Sequence, residues 1–373
     1  MRCRLVGSEM CIRDRRFIYG LLDQPLKQLG FNVPNIAQPN LERGLNAGFD
    51  IETFMRFAES PNWLTNYHHT NERAINYLKE FIPKNALIIG YEMPPWLSCA
   101  LDEDHTAYVD IRISPERFAR DLYFNIRTAL SNEAIKKFHA SNDEVLLEAG
   151  LMKAALLHHA STQSTSEKLA NSVVIIGQTS NDASKVNNNA DIVTFADFAV
   201  EVAKYTKGRK IFYKPHPYDR NMAKTDTQQI TEITGQKPIK WTTSAYRTLA
   251  NFSDARILTL SSGVAQEAMF FQREAQSLFE PWFYAKKTTD LFTRVRAQDF
   301  MSPQIWASLF EIDGQFASLP IMQRNLLRSL HNTWWGYSDF QIETDSFWSI
   351  VASSHTPKKR KPFRKLKEKL GLI

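Results

Sequence analysis

Three short words in the second half of the chain carry side chains suited to gripping an anion and acting on what it is attached to. In Tyr213-Lys214-Pro215-His216-Pro217, two prolines fix φ on either side of one histidine and remove backbone donors, which holds the imidazole in one direction. Lys214 stands directly before it, and with no second histidine nearby the pair suits a phosphate or carboxylate better than a metal. In Leu260-Ser261-Ser262-Gly263-Val264, two hydroxyls and a glycine precede an apolar helical run, where amides at a helix start can cradle an anion. Glu267, one turn further on, is placed either to meet a ribose hydroxyl or simply to favour the helix dipole. In Gly177-Gln178-Thr179-Ser180-Asn181-Asp182-Ala183-Ser184, Asp182 is the only acid among small polar residues. Each word also has a plain reading, as a rigid turn, a serine N-cap and a solvated Asx-type turn respectively.

What positions these words is an alternation of apolar strands and helical runs. Val173 to Ile176, Lys210 to Tyr213 and Arg256 to Leu260 read as strands, each leading directly into one of the words. Ile239 to Trp241 reads as a further short strand, with helices around Phe195 to Tyr205, Tyr246 to Asn251 and Val264 to Phe271. Such alternation predicts parallel sheets with right-handed crossovers, in which ligands sit outside the strand carboxyl ends. In the first half, residues 16–85 read as mostly helical, with Asp50 and Asn71 as caps. Ala86 to Tyr91 and Tyr108 to Ile113 read as strands, and Glu116 to Leu130 and Asn142 to His159 as helices.

Taken in order, GQ-x-x-x-D-x-S, YKPHP, SSG-x-x-x-E and the aromatic Pro281-Trp282-Phe283-Tyr284 resemble the capsular polysaccharide biosynthesis glycosyltransferases. More narrowly, they are similar to those that move Kdo (3-deoxy-manno-octulosonate) from its CMP-activated form, over Val173 to Tyr284. The resemblance implies an α/β fold of two Rossmann-like domains facing across a cleft, the GT-B type. It implies that Lys214 and His216 bind the CMP phosphate, that Ser261, Ser262 and Gly263 complete the cradle, and that Glu267 holds the ribose. Asp182 would act at the anomeric carbon, with Gln178 and Ser184 beside it. A CMP-sugar donor is then a substrate and no cofactor or metal is expected. The other enzyme reading is a polyol-phosphate transferase using a CDP-activated donor; the non-enzyme reading is an accessory protein that only grips polysaccharide.

The first half departs from that family, which often shows a Glu-Asp-Gly word after a strand; here the matching stretch is Val109-Asp110-Ile111-Arg112. Asp110 keeps one carboxylate, and Glu92, in Tyr91-Glu92-Met93-Pro94-Pro95, is the competing general base at another strand end. Arg112 and Arg117 are placed either to meet a sugar carboxylate or to pair with Glu116 or Asp121. His68-His69 and His158-His159 lack the i, i+4 spacing of a metal site, and Cys99 reads as a small partly buried side chain. The cluster Trp334, Trp335, Tyr337, Phe347 and Trp348 reads as core.

The chain has 373 residues, 43% hydrophobic and 23% charged, enough for two domains and too apolar for global disorder. Its three cysteines form no CxxC pair, which excludes a disulfide scaffold and a thiolate zinc site. No run of 18 apolar residues exists, so no helix spans a bilayer. The net charge of +6 comes from Lys358 to Lys369, where Lys358, Lys359, Arg360, Lys361, Arg364, Lys365, Lys367 and Lys369 face one acid, Glu368. The rest of the chain is close to neutral, which argues against a nucleic-acid partner. After Pro362 the tail reads as a basic amphipathic helix for an anionic inner membrane surface. The expected partners are therefore a nucleotide sugar, a glycan or glycolipid acceptor and that surface, for a cytoplasmic protein peripherally held at the inner membrane. Residues 1–15, which include Cys3 and Cys11, resemble a translated sequencing-adapter scar and are set aside, so no targeting signal is read from this end. The expected domains are 16–165 on the acceptor side, open to truncation at its start, and 166–340 on the nucleotide-sugar side, followed by a helix and basic tail over 341–373.

Overall fold

The computed structural model describes residues 9–33, 49–60, 62–82, 86–119, 121–130, 133–157, 166–216, 219–251, 253–283, 292–314 and 316. The first part of the chain runs α1 (Glu9–Gln28), α2 (Ile51–Ala58), α3 (Trp63–Asn66), α4 (Glu72–Phe81), β1 (Ile88–Tyr91), α5 (Pro95–Glu103), β2 (Tyr108–Ile113), β3 (Tyr123–Thr128), α6 (Glu133–Lys136) and α7 (Asn142–Leu157). Then follow β4 (Ser172–Ile176), short 3-10 turns at Ala183–Lys185 and Phe195–Phe198, α8 (Ala199–Thr206), β5 (Lys210–Lys214), α9 (Arg220–Thr234), β6 (Ile239–Lys240), α10 (Ala245–Ala250), β7 (Arg256–Thr259), α11 (Val264–Phe270) and β8 (Ala275–Ser277). The described chain closes with β9 (Thr293–Arg296), α12 (Ala297–Phe300) and α13 (Pro303–Leu309). Asp50 accepts from Thr53 N and Asn71 from Ala74 N, so both predicted caps do that work.

The second sheet has the order β6-β5-β4-β7-β8, and every pair in it is parallel. Its central strand, SVVII, is buried along its whole length, as a strand covered on both faces must be. The order reverses at β4: β5 and β6 lie to one side, β7 and β8 to the other. The loops leaving β4 and β7 therefore flank a topological switch point, where open parallel sheets place their ligands.

The first sheet corrects the expectation of two Rossmann-like halves. Its order is β1-β2-β3-β9; β1 pairs parallel to β2, but β2-β3 and β3-β9 are antiparallel. The helix expected over 116–130 is absent. Residues 116–119 form a turn and Tyr123–Thr128 a strand, because YFNIRT alternates and puts Phe124 and Ile126 into the core. Likewise 293–309, assigned by sequence to the nucleotide-side domain, returns to the first sheet. β9 adds to its edge, and Phe300, Ile305 and Trp306 join Val109, Ile111, Phe124, Ile126 and the α1 residues Phe17, Ile18, Leu22 and Leu26 in one core. Helix α1 itself starts at Glu9, inside the segment set aside from the sequence. Among the described residues, no helix is long and apolar enough to cross a membrane.

Candidate functional site

At the switch point, the words after β4 and β7 are tied together. Gln178 Nε2 donates to Asp182 Oδ2 (3.2 Å), Ser184 Oγ (3.0 Å) and Ser261 Oγ (3.1 Å), while its Oε1 accepts from Ser261 N (2.8 Å). Ser184 Oγ lies 2.9 Å from Ser261 Oγ, and Asp182 Oδ1 accepts from both Ser184 Oγ (2.8 Å) and Ser184 N (3.0 Å). Asp182 caps the 3-10 turn Ala183–Lys185, so that turn and the Gln178 amide four residues back, itself anchored on Ser261, fix its carboxylate at the rim. The word after β5 joins through Asp219, which caps α9 by accepting from Met222 N (2.9 Å) and also accepts from Ser180 N (2.9 Å). The loops after β4 and β7 thus meet beside Asp182, and the start of α9, beyond β5, is tied to the same loop at Ser180. Ser261 departs from its expected part, because its amide and hydroxyl are spent inside this knot rather than left to cradle a phosphate.

Beneath the knot lies a buried polar layer that the sequence reading missed. Lys185 is 1% exposed, and burial pulls its ammonium below the usual lysine range, against the attraction of Asp182, Asp226 and Asp219. Burial also pushes Asp226 up to about 6, although Tyr213 Oη donates to its Oδ2 at 2.6 Å. That hydroxyl explains Gly177: a Cβ there would lie 2.2 Å from Tyr213 Oη. Space, not φ, demands the glycine.

The first half presents a second set of groups. Asp110 is fully buried; its Oδ1 accepts from Met93 N (2.9 Å), and its Oδ2 lies 3.4 Å from Arg112 and 3.8 Å from Arg127. Burial raises its pKa, the two guanidiniums and the Met93 amide working the other way. A carboxylate so enclosed is a clamp, which removes Asp110 from the bases open to an acceptor. What it clamps is Glu92. Glu92 sits at φ +51, its N–H donates to Ile111 O (2.9 Å), and Met93 is held on the far side by Asp110 and by Arg112, which donates to Met93 O (3.0 Å). A non-glycine residue held left-handed costs about 1–3 kcal/mol and persists only where its surroundings insist on it.

Tyr67 joins the two sets. Its hydroxyl accepts from Trp282 Nε1 (3.0 Å) and lies within electrostatic reach of Arg112, Glu92 and Asp182. Burial raises its pKa strongly, so it stays a neutral phenol. Tyr67 and Val186 pack in one small cluster with Trp63, Leu64, Ala183 and Trp282, which seats α3 on the Asp182 turn. Nothing in the sequence marked Tyr67; its only signal is an aromatic-rich WLTNYHH stretch between capped helices.

The remaining candidates divide. Glu267 is 2% exposed and accepts from Arg117 N (2.8 Å) across the two halves; burial pushes it up to about 8, with Glu116 adding to the rise and the Arg117 and Phe118 amides opposing it. It is thus engaged in an inter-half contact rather than open to a ribose. Gly263 sits against Pro115, at 3.0 Å from where its Cβ would be, and Ser262 Oγ accepts from Val264 N (3.4 Å). Lys214 is buried at the end of β5. His216 lines an open groove of about 1040 Å³ between β5, β6 and α9, together with Lys224, Thr227, Lys237 and Lys240. This open volume lies on the β6 flank of the sheet, away from the Ser261 knot, and His216 is its link to Asp219. His68 hydrogen-bonds the Val186 backbone and packs edge-on to Tyr67 at 4.9 Å. Cys99 is exposed, not part of the core. No group of three metal-ligating side chains occurs among the described residues. Pro217, Tyr284, His158-His159, the aromatic cluster from Trp334 to Trp348 and the basic tail lie outside the described residues.

Neither a family model nor a curated protein matches the sequence. Among solved structures, the chain is similar to the beta Kdo 2,7 transferase KpsC of Thermosulfurimonas dismutans, at 12% identity, a TM-score of 0.34, and coverage of 72% of this chain and 90% of that one. A superposition that loose fixes neither fold nor function.

Proposed function

We propose that this chain is a glycosyltransferase that moves an acidic sugar, Kdo by motif resemblance, from a CMP-activated donor to a capsular or related surface glycan or glycolipid. The observation that carries this reading is the knot that ties the words after β4 and β7 together beside Asp182 at a switch point, with Tyr67 of the first half within electrostatic reach of Asp182, Glu92 and Arg112. In the reaction, the bond between the anomeric carbon and the phosphate oxygen breaks, and its electron pair leaves with CMP. By motif resemblance His216, which lies beside Asp219 at the edge of the Asp182 loop, would offset the phosphate charge as it develops. Asp182, held by Gln178 and Ser184, stands by the electron-poor anomeric carbon as nucleophile or electrostatic partner. The acceptor oxygen bonds to that carbon and its proton passes to Glu92, whose backbone is locked for the purpose. No metal enters this scheme, so activity persists in EDTA. The tail from Lys358 to Lys365 would keep the protein on an anionic membrane surface.

The test is release of CMP from CMP-Kdo by the purified chain. Glu92→Gln is expected to slow transfer by about 10²–10⁴-fold with donor binding retained, and Asp182→Asn by about 10²–10³-fold. Wild-type rates in both variants would overturn the reading.

A further inference from the structure

Alternation along the first sheet puts Val109, Ile111, Phe124, Ile126 and Val295 on one face and a row of charges on the other. The register sets Asp110 opposite Arg127, Arg112 opposite Asn125, Asn125 opposite Arg294 and Tyr123 opposite Arg296. Four guanidiniums therefore share one face, and their pairing is uneven. Arg294 has Glu116 (2.8 Å), Ala140 O and Asn142; Arg296 has Glu144 and Asp299 (2.9 Å). Among the described residues Arg127 has only Asp110 as an ionic partner, at 3.8 Å, which is too long for a hydrogen bond and is shared with Arg112.

Arg127 is 7% exposed, and its Nε and Nη2 are shut from solvent with no acceptor among the described residues. The rings of Trp282 (5.3 Å), Tyr108 (5.5 Å) and Phe292 (5.7 Å) surround it, and Trp282 also covers Arg112 at 5.1 Å. Aromatic faces offset part of a cation's desolvation but fill none of its in-plane donors. Asp102, across the Tyr108 ring, is exposed and spends Oδ2 on the Tyr108 hydroxyl. A buried cation left so poorly paired is a liability unless something completes it.

We infer that Arg127, with Arg112, is the receptor for a carboxylate carried by the sugar substrate, docking beside Glu92 and Tyr67 with Trp282 yielding its place over the guanidiniums. A carboxylate matches the guanidinium fork with two parallel hydrogen bonds, which a neutral sugar cannot supply. The identity of the sugar rests on the function proposed above; the demand for a carboxylate rests on the sheet face alone. An arginine kept for a ligand differs from one kept for stability: removing the first leaves the fold unharmed.

The experiment measures thermal midpoints of the full chain with free 3-deoxy-manno-octulosonate and with its methyl ester. The free acid is expected to raise the midpoint and the ester not. Arg127→Met is expected to fold with an unchanged or higher midpoint and to lose the acid's effect. Arg127→Lys, which keeps the charge but not the fork, is expected to weaken acid binding at least tenfold. Equal stabilisation by the ester or undiminished acid binding in Arg127→Met would each overturn the inference. Should Arg127→Met be destabilised or fail to fold, wild-type acid binding in Arg127→Lys overturns it and a tenfold loss upholds it. Kinetics separate the sources: a raised KM for CMP-Kdo hydrolysis without acceptor assigns the carboxylate to the donor, and a raised KM for a Kdo-ended acceptor alone assigns it to the acceptor. CMP titration judges the proposed function apart from this: no CMP binding sinks that function, while the acid-against-ester comparison still decides the carboxylate site.

Discussion

The two sheets place their polar groups by different means. The second sheet is apolar along its strands and keeps its chemistry at the strand ends, where Gln178, Asp182, Ser184 and Ser261 meet. The first sheet carries charge within its strands, with Asp110 and Arg127 paired across β2 and β3 in the interior. A strand-end group can be changed with the sheet intact beneath it; a mid-strand carboxylate such as Asp110, which accepts from Met93 N and faces two guanidiniums, is part of what holds the sheet. Function and stability should therefore separate at strand ends and be entangled at Asp110.

The sharpest break of that contrast is Asp110→Asn against Asp182→Asn. The first leaves two buried guanidiniums without their carboxylate and should cost about 3–5 kcal/mol of unfolding free energy. The second loses charge from a rim network and should cost about 1–2 kcal/mol; urea unfolding of both variants reads the difference. Next in size is Gly177→Ala, which drives a methyl group into the Tyr213 hydroxyl and should destabilise by about 1–3 kcal/mol. Adding Tyr213→Phe should recover part of that loss, measured as a double-mutant cycle.

A pH series tests the seam between the halves. Glu267 has its pKa raised from 4.5 to about 8 in the folded state, so the folded protein holds a proton that the unfolded chain has released. Its contribution is complete below pH 4.5 and falls away as pH rises towards 8, by at most about 1.4 kcal/mol per pH unit. Glu267→Gln should flatten that slope relative to the wild type. The smallest effect belongs to Glu92→Gly, which relieves the left-handed backbone and should stabilise by about 1 kcal/mol while abolishing transfer. Calorimetry beside the transfer assay checks both halves of that outcome.

The legibility of the chain follows the same division. β4, β5 and β7 could be read because a strand buried on both faces is a continuous apolar run, and the words behind them stood out as polar breaks. β3 and β9 could not. YFNIRT buries Arg127 and TRVR half-buries Arg294 and Arg296, so neither strand shows a second face simply open to water. Asp182 was visible as the only acid in its loop. Glu267 was visible too, but its partner lies 150 residues away in the other half, and no local pattern reports that. Tyr67 and Lys185 owe their surroundings entirely to tertiary packing, and so does the choice of Glu92 over Asp110.

The return of β9 to the first sheet has a practical consequence for dissecting the protein. A fragment ending anywhere before Thr293 would strip β3 of its outer neighbour and leave a row of backbone amides and carbonyls bare, an invitation to pair with other chains. It would also remove Trp306 from the middle of the first core. Expressing the acceptor-side half alone should therefore give aggregates, and a soluble version would need residues 292–310 spliced back on through a linker.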